Sequence, residues 1–114
     1  MEDCIFCQMI AGEMDSEIVY EDEEVIAFKD IEPQAPVHFL IIPKKHIPTL
    51  LDLQEGDKEL VGHIYQVAAQ LAQQEGIAED GFRIVSNCKE AGGQTVYHIH
   101  YHLLGGRNLQ WPPG

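Results

Sequence analysis

The chain has 114 residues, 45% hydrophobic and 23% charged, a composition that fits one globular α+β domain over 1–114 and excludes a disordered chain. Its 19 acidic residues outnumber 7 lysines and arginines, for a formal net charge of −12. Binding a polynucleotide requires clustered Lys and Arg to displace counterions, so polymeric nucleic acid is excluded as a partner, whereas one small phosphate can still be held locally by backbone N–H groups and imidazoles.

Nine of the acidic residues lie between Glu2 and Glu24 and read as a solvated, solubilising surface. No stretch approaches the roughly 20 apolar residues of a membrane span. No basic leader precedes an apolar run, so the expected location is the cytoplasm, with no membrane partner. Cys4, Cys7 and Cys88 form an odd set that argues against a disulfide framework and leaves Cys4-Ile-Phe-Cys7 as a metal or redox motif.

In chain order, Cys4–Ala11 carries Ile5, Phe6, Met9 and Ile10 in a short helical pattern that stops near Gly12. Glu17–Tyr20 and Val25–Lys29 read as a β-hairpin closed by an acidic turn. Ile31–Pro36 holds two prolines and is expected to be a loop. Val37–Ile42 is an apolar run broken only by His38 and is expected to be a buried strand. Pro48–Gly56 is a turn-rich connection. Asp57–Glu75 places Leu60, Ile64, Val67 and Leu71 on one face, which predicts the one long helix, with Gly76 as its stop. Phe82–Ser86 reads as a strand, Asn87–Gln94 as a loop and Thr95–Leu104 as a last strand. Hairpins and one main helix, without βαβ alternation, predict an α+β domain with a mainly antiparallel sheet.

The chemistry concentrates in Tyr97-His98-Ile99-His100-Tyr101-His102. Side chains alternate faces along a strand, so the three imidazoles are expected on one side and Ile99 and Tyr101 on the other. Three readings compete: a solvated polar face, a metal site, and a phosphoryl-transfer site. The preceding loop favours the last. Gly92-Gly93 lets backbone N–H groups approach an oxyanion, and Asn87, Gln94 and Thr95 add side-chain donors. Taken alone, other candidates stay two-sided. Asp30 is a loop cap or a ligand group, and His38 a hydrogen-bonded core histidine or a site residue. Ile5, Phe6 and Met9 are ordinary core or a binding surface. Lys44 and Lys45 read as solvated, and His63, off the apolar face of the helix, has no expected site role.

The segment Gly93-Gln94-Thr95-Val96-Tyr97-His98-Ile99-His100-Tyr101-His102-Leu103-Leu104 resembles the signature of the histidine-triad (HIT) family. The ending Gly105-Gly106-Arg107 through Trp111-Pro112-Pro113-Gly114 is similar to its nucleotide-binding branch of purine nucleoside phosphoramidases. Asp30-Ile31, Pro33-Gln34-Ala35-Pro36 and Ile42-Pro43-Lys44-Lys45-His46 match that branch too. The resemblance implies a HIT-like fold: a five-stranded sheet, one long helix, a short N-terminal helix, and a homodimer joined across the long helix and last strands. It implies His100 as the nucleophile forming a nucleotidyl-imidazole, with His102 at the phosphate and leaving group. His38 and His98 would complete the histidine set. Asn87, Gly93 and Thr95 would hold phosphate oxygens, Gln94 would lie near the leaving group, and Asp30 would bind the ribose. Ile5, Phe6, Met9, Phe28 and Ile31 would form the purine slot. The implied ligand is a purine nucleoside monophosphate or phosphoramidate, and no cofactor is expected to be required for catalysis. Two alternatives remain: a dinucleoside polyphosphate hydrolase, and a nucleotide-binding or scaffolding module with incidental turnover.

Cys4 and Cys7 depart from family members that lack such a pair but resemble members with a structural zinc. That resemblance implies Cys4, Cys7, His46 and His98 as ligands, a closed Cys₂His₂ set. Two reduced, unliganded thiols and a redox pair are the alternatives, the latter disfavoured by the absence of a βαβ setting. Cys88 is expected to be a bystander.

Overall fold

The computed structural model describes residues 3–114. Ile5–Ile10 forms a six-residue helix, α1, whose N-cap Cys4 accepts the Cys7 N–H on its Sγ at 3.3 Å. Ile18–Glu21 (β1) and Val25–Lys29 (β2) form the expected hairpin, and Val37–Pro43 (β3) follows the proline loop. Two 3₁₀ turns, Leu50–Asp52 and Glu55–Asp57, lead into the long helix Lys58–Gln74 (α2). Phe82–Val85 (β4), a four-residue helix Lys89–Gly92 (α3) and Tyr101–Gly105 (β5) complete the chain. Among the described residues no helix is long and apolar enough to cross a membrane.

The five strands make one sheet in the order β1-β2-β3-β5-β4, each antiparallel to its neighbours. Both faces of its centre are covered, which is why β2 and β3 read as continuous apolar runs. Ala27, Phe39, Ile41, Tyr101 and Leu103 point to the α2 side, where they meet Ile64, Val67, Ala68 and Leu71. Ile26, Phe28, Leu40 and Ile42 point the other way, against Cys4 and Phe6. Burying each such side chain contributes about 1.5–3 kcal/mol, so the two clusters carry most of the favourable energy of the fold. Gly105 is required by space: a Cβ there would lie 2.5 Å from Ile77 Cδ1, so the end of β5 sits directly against the chain leaving α2.

Two sequence expectations need correction. The loop Asn87–Gln94 contains the turn of helix α3, and the last strand does not begin at Thr95. Its partners run out: the β3 ladder ends at Ile41↔Tyr101 and the β4 ladder at Val85↔His102. Residues 95–100 therefore lie outside the sheet. Side-chain alternation nevertheless persists, with Ile99 in the α2-side cluster and His98 and His100 edge-on to Phe6.

His63, away from the histidine cluster, ties α2 to the hairpin through Asp22 Oδ2 at 2.6 Å. Burial alone would raise the Asp22 pKa. Hydrogen bonds from Tyr20 Oη, His63 and the Glu24 and Val25 N–H groups outweigh it and hold the carboxyl well below the ordinary carboxylate range. A group depressed in the folded state stabilises above its unfolded pKa, near 3.9, and loses that contribution as pH falls further. Asp22→Asn is therefore expected to destabilise the chain by about 2 kcal/mol at neutral pH. In denaturant titrations the gap from wild type should narrow as pH drops below about 4; a pH-independent gap would refute this role.

Candidate active site

The sheet brings His38, His100 and His102 together, with Asp30 at the rim. His38 on β3 stands opposite Leu104 in the register, two residue pairs from Leu40↔His102 and so on the same face. Its Nε2 lies 2.9 Å from His102 Nδ1 and 3.3 Å from Asp30 Oδ2. The ring centroids of His100 and His102 are 5.2 Å apart. His38 and His100 are buried and His102 is half-buried, so the solvated-face reading is excluded. Asp30 fits its loop-cap reading, with Oδ1 accepting the Glu32 N–H at 2.8 Å, while Oδ2 faces His38.

Backbone groups fix the tautomers. The Gln34 N–H donates to His38 Nδ1 at 3.0 Å, so a neutral His38 carries its proton on Nε2 and donates toward His102 Nδ1. His102 then carries its own proton on Nε2. His100 Nδ1 donates to the His98 carbonyl at 2.8 Å, which leaves His100 Nε2 as a bare lone pair. Burial lowers the pKa of His100, opposed by the His98 carbonyl and Asp30. Burial, with the neighbouring His100 and His38 charges, lowers His102 to about 4. Burial lowers His38 as well, against the pull of Asp30. All three rings are neutral near pH 7.

The glycine loop leads directly into the histidine segment. Gly93 ends α3 at φ 88, a left-handed conformation that glycine adopts without strain, while its surroundings are open. Gly93 and Thr95 are exposed and Asn87 is half-buried. Gln94 is buried and committed to the loop itself. Its Nε2 donates to the Pro48 carbonyl at 2.7 Å and the Val96 carbonyl at 3.0 Å, and its Oε1 accepts the Lys89 N–H at 2.8 Å. Sequence reading grouped Gln94 with the ligand donors, where the structure makes it a strut. It also missed the Gln34 N–H and the Pro43 carbonyl, main-chain groups that have no side-chain signature.

Of the expected slot residues, Phe6 and Phe28 are buried and meet edge to face at 5.6 Å, and Met9 packs beside them. Ile31 is 94% exposed and Ile5 42%, apolar surface left in water. Ile5 and Thr95 also line a cleft of about 380 Å³ with Cys4, His46 and Tyr97.

A second cluster lies behind His100. His98 Nδ1 stands 3.4 Å from Cys4 Sγ, 3.5 Å from Cys7 Sγ and 3.2 Å from His46 Nδ1, and Cys7 Sγ is 3.3 Å from His46 Nδ1. A tetrahedral Zn²⁺ separates neighbouring N donors by about 3.3 Å and N from S donors by about 3.6 Å. The four donor atoms fit that pattern and could hold such an ion. His98 is fully buried, which lowers its pKa to about 4, and its Nε2 donates to the Pro43 carbonyl at 2.7 Å, so Nδ1 is bare and aimed at the cluster. Asp30, His38 and His102 also converge, but the proton on His38 Nε2 leaves that atom no lone pair for a metal. Lys44 and Lys45, expected to be solvated, pair with Glu21 at 2.8 Å and Asp57 at 2.7 Å.

These assignments are measurable. Nitrogen NMR of labelled protein near pH 7 is expected to find His100 protonated on Nδ1 and His38 on Nε2. The opposite tautomer at His100 would remove the bare nitrogen.

Comparison with known proteins agrees with this geometry. The HIT domain family model matches residues 11–109. A purine nucleoside phosphoramidase of Escherichia coli K12 is 54% identical over 108 residues, 95% of this chain and 91% of the relative. A 14 kDa zinc-binding protein of Zea mays is 52% identical over 112 residues, covering 96% and 87%. The crystal structure of a HIT family hydrolase from Legionella pneumophila Philadelphia 1 superposes with a TM-score of 0.97 at 54% identity, covering 98% of this chain and all of that one. With the family model matched over residues 11–109 and relatives matched over nearly the whole length, the chain belongs to the HIT domain family.

Proposed function

We propose that this chain hydrolyses purine nucleoside phosphoramidates, such as adenosine monophosphoramidate, through a covalent nucleotidyl-His100 intermediate. The observation that carries the reading is the bare Nε2 of His100, held outward by the bond from Nδ1 to the His98 carbonyl. A neutral imidazole is a competent nucleophile toward phosphorus, and forming an intermediate divides one hard displacement into two easier ones.

In the first half-reaction His100 Nε2 forms a bond to phosphorus as the P–N bond of the substrate breaks. The His102 Nε2–H hydrogen-bonds the departing nitrogen, which leaves as an amine with a proton drawn from solvent. In the second, water attacks phosphorus, the bond to His100 breaks, and the water releases one proton, so the cycle balances with a nucleoside monophosphate as product. Asn87 and Thr95 take the phosphate oxygens, where preorganised donors stabilise developing charge, and Gly93, whose N–H is given to the Glu90 carbonyl at 3.0 Å, leaves open space for them. Asp30 takes the ribose, and Ile5, Phe6, Met9, Phe28 and Ile31 the purine. Gln94 acts from the loop it braces.

His100→Asn is expected to lose about 10⁴-fold or more in kcat on adenosine monophosphoramidate while keeping wild-type circular dichroism. Turnover near wild type would end the mechanism, and a higher kcat/KM for a dinucleoside polyphosphate would replace the substrate class.

The Cys4, Cys7, His46 and His98 cluster holds a structural Zn²⁺ in this reading, supported by the donor spacing and the name of the maize relative. With four protein ligands the ion would cross-link α1 to the histidine segment and leave no coordination position for water. Metal analysis of freshly purified, reduced protein should give about one equivalent per chain; a value near zero would refute it.

The enzyme would work in the cytoplasm as a homodimer, a state supported by the exposed Tyr65 on α2, edge to face with Tyr101, and by Trp111 at 81% exposure. Sedimentation at twice the 12.8 kDa chain mass is expected, and a monomer would overturn it.

A further inference from the structure

One residue belongs to both clusters. The His98 ring points Nδ1 at Cys4, Cys7 and His46, and the His98 carbonyl accepts from His100 Nδ1. Phe6, between the two cysteines in sequence, lies edge-on to His98 at 5.9 Å and to His100 at 5.2 Å. α1 has six residues, too few to be stable without outside attachments. Its attachments include the packing of Phe6 against Phe28, with Met9 and Ile10 on the same apolar cluster, and the sulfur contacts at its N-cap and first turn. The α2-side core lies on the opposite face of the sheet and includes none of the four donors.

We propose that Cys4, Cys7, His46 and His98, when they share a Zn²⁺-class ion, act as a clamp that positions the nucleotide site. Sharing the ion fixes α1, and with it the Phe6 wall, and fixes the 95–100 segment that aims His100. His98 is thus a positioning residue for the nucleophile as well as a ligand. Loss of the ion weakens nucleotide binding and slows transfer to His100 while the sheet and α2 stay folded. The proposal rests on the phosphoramidase reading for its activity arm and on geometry alone for its structural arm.

The test compares wild-type protein as purified, after EDTA treatment under reducing conditions, and after Zn²⁺ is restored. Three quantities are read: the Kd for adenosine monophosphate, the single-turnover rate on adenosine monophosphoramidate, and amide hydrogen exchange. The metal-free chain is expected to bind adenosine monophosphate about tenfold or more weakly and to transfer more slowly. Exchange should rise in Ile5–Ile10 and in residues 95–100 but not in Lys58–Gln74, and Zn²⁺ should restore all three readings. Cys7→Ser should reproduce the metal-free behaviour, and Cys7→His, which keeps a ligand, should recover part of the affinity. Unchanged Kd and rate in protein verified to be metal-free would overturn the clamp. Loss of protection in Lys58–Gln74 would overturn it too, because the ion would then support the whole fold. If the metal-loaded protein neither binds adenosine monophosphate nor turns over the phosphoramidate, the functional reading fails instead, and exchange in Ile5–Ile10 still decides the clamp.

Discussion

The hydrogen bond from His100 Nδ1 to the His98 carbonyl is the interaction on which the site depends, because it decides which nitrogen of His100 faces outward. It exists only because residues 95–100 lie outside the sheet. A central strand uses its N–H and C=O groups to pair with both neighbours. β5 is flanked by β3 and β4, but both ladders end before His100, so the His98 carbonyl is left to accept from an imidazole. The Pro43 carbonyl, at the end of β3, is likewise left for His98 Nε2. The place where the strand stops thus sets two ring orientations, one toward phosphorus chemistry and one toward the thiols.

Burial then sets the charge state. His98, His100 and His102 share the face of the sheet opposite α2, sealed by Phe6 and the second apolar cluster. Desolvation disfavours imidazolium at each of them. Neutral rings supply a lone pair at His100 and an N–H at His102, which is the asymmetry a displacement at phosphorus needs. Proton positions pass along the chain from the Gln34 N–H through His38 to His102 without any ring carrying a charge. The same low-dielectric setting strengthens the hydrogen bonds that define this order.

Much of this was legible in the sequence, and the reasons differ by element. The α2 face follows from the spacing of Leu60, Ile64, Val67 and Leu71, since a helix buried on one side cannot avoid that period. Strands β2 and β3 were visible as apolar runs because both their faces are covered. His-x-His-x-His gave the shared face of the three rings, because alternation survives in extended chain even without a ladder. The start of β5 was not legible, since the end of a ladder depends on where the partner strands stop. Nor could Gln94 be assigned as a strut, or the Gln34 N–H as a tautomer switch. Those roles are fixed by tertiary approach of main-chain groups that every residue carries. His63 could be read as lying off the apolar face of α2, but its partner Asp22 lies 41 residues away and no local pattern joins them.

The electrostatics bear on which phosphate such a site favours. The chain carries a net charge of −12, and six of its seven Lys and Arg side chains are engaged elsewhere. Lys29, Lys44, Lys45 and Lys58 pair with acidic side chains, and Arg83 and Arg107 donate to main-chain carbonyls. A bound anion is therefore held chiefly by neutral N–H donors and imidazoles, with Lys89 at the start of α3 the remaining cation, against a repulsive mean field that salt screens over about 8–10 Å. That repulsion grows with ligand charge, whereas the short-range donors contact a single phosphoryl group. A substrate with one phosphoryl centre meets little of the field and all of the donors. A polyphosphate chain would carry more charge into that field, with Lys89 the one Lys or Arg side chain outside these pairings. In the proposed reading the charge balance thus acts in the same direction as the placement of the nucleophile, toward nucleoside phosphoramidates.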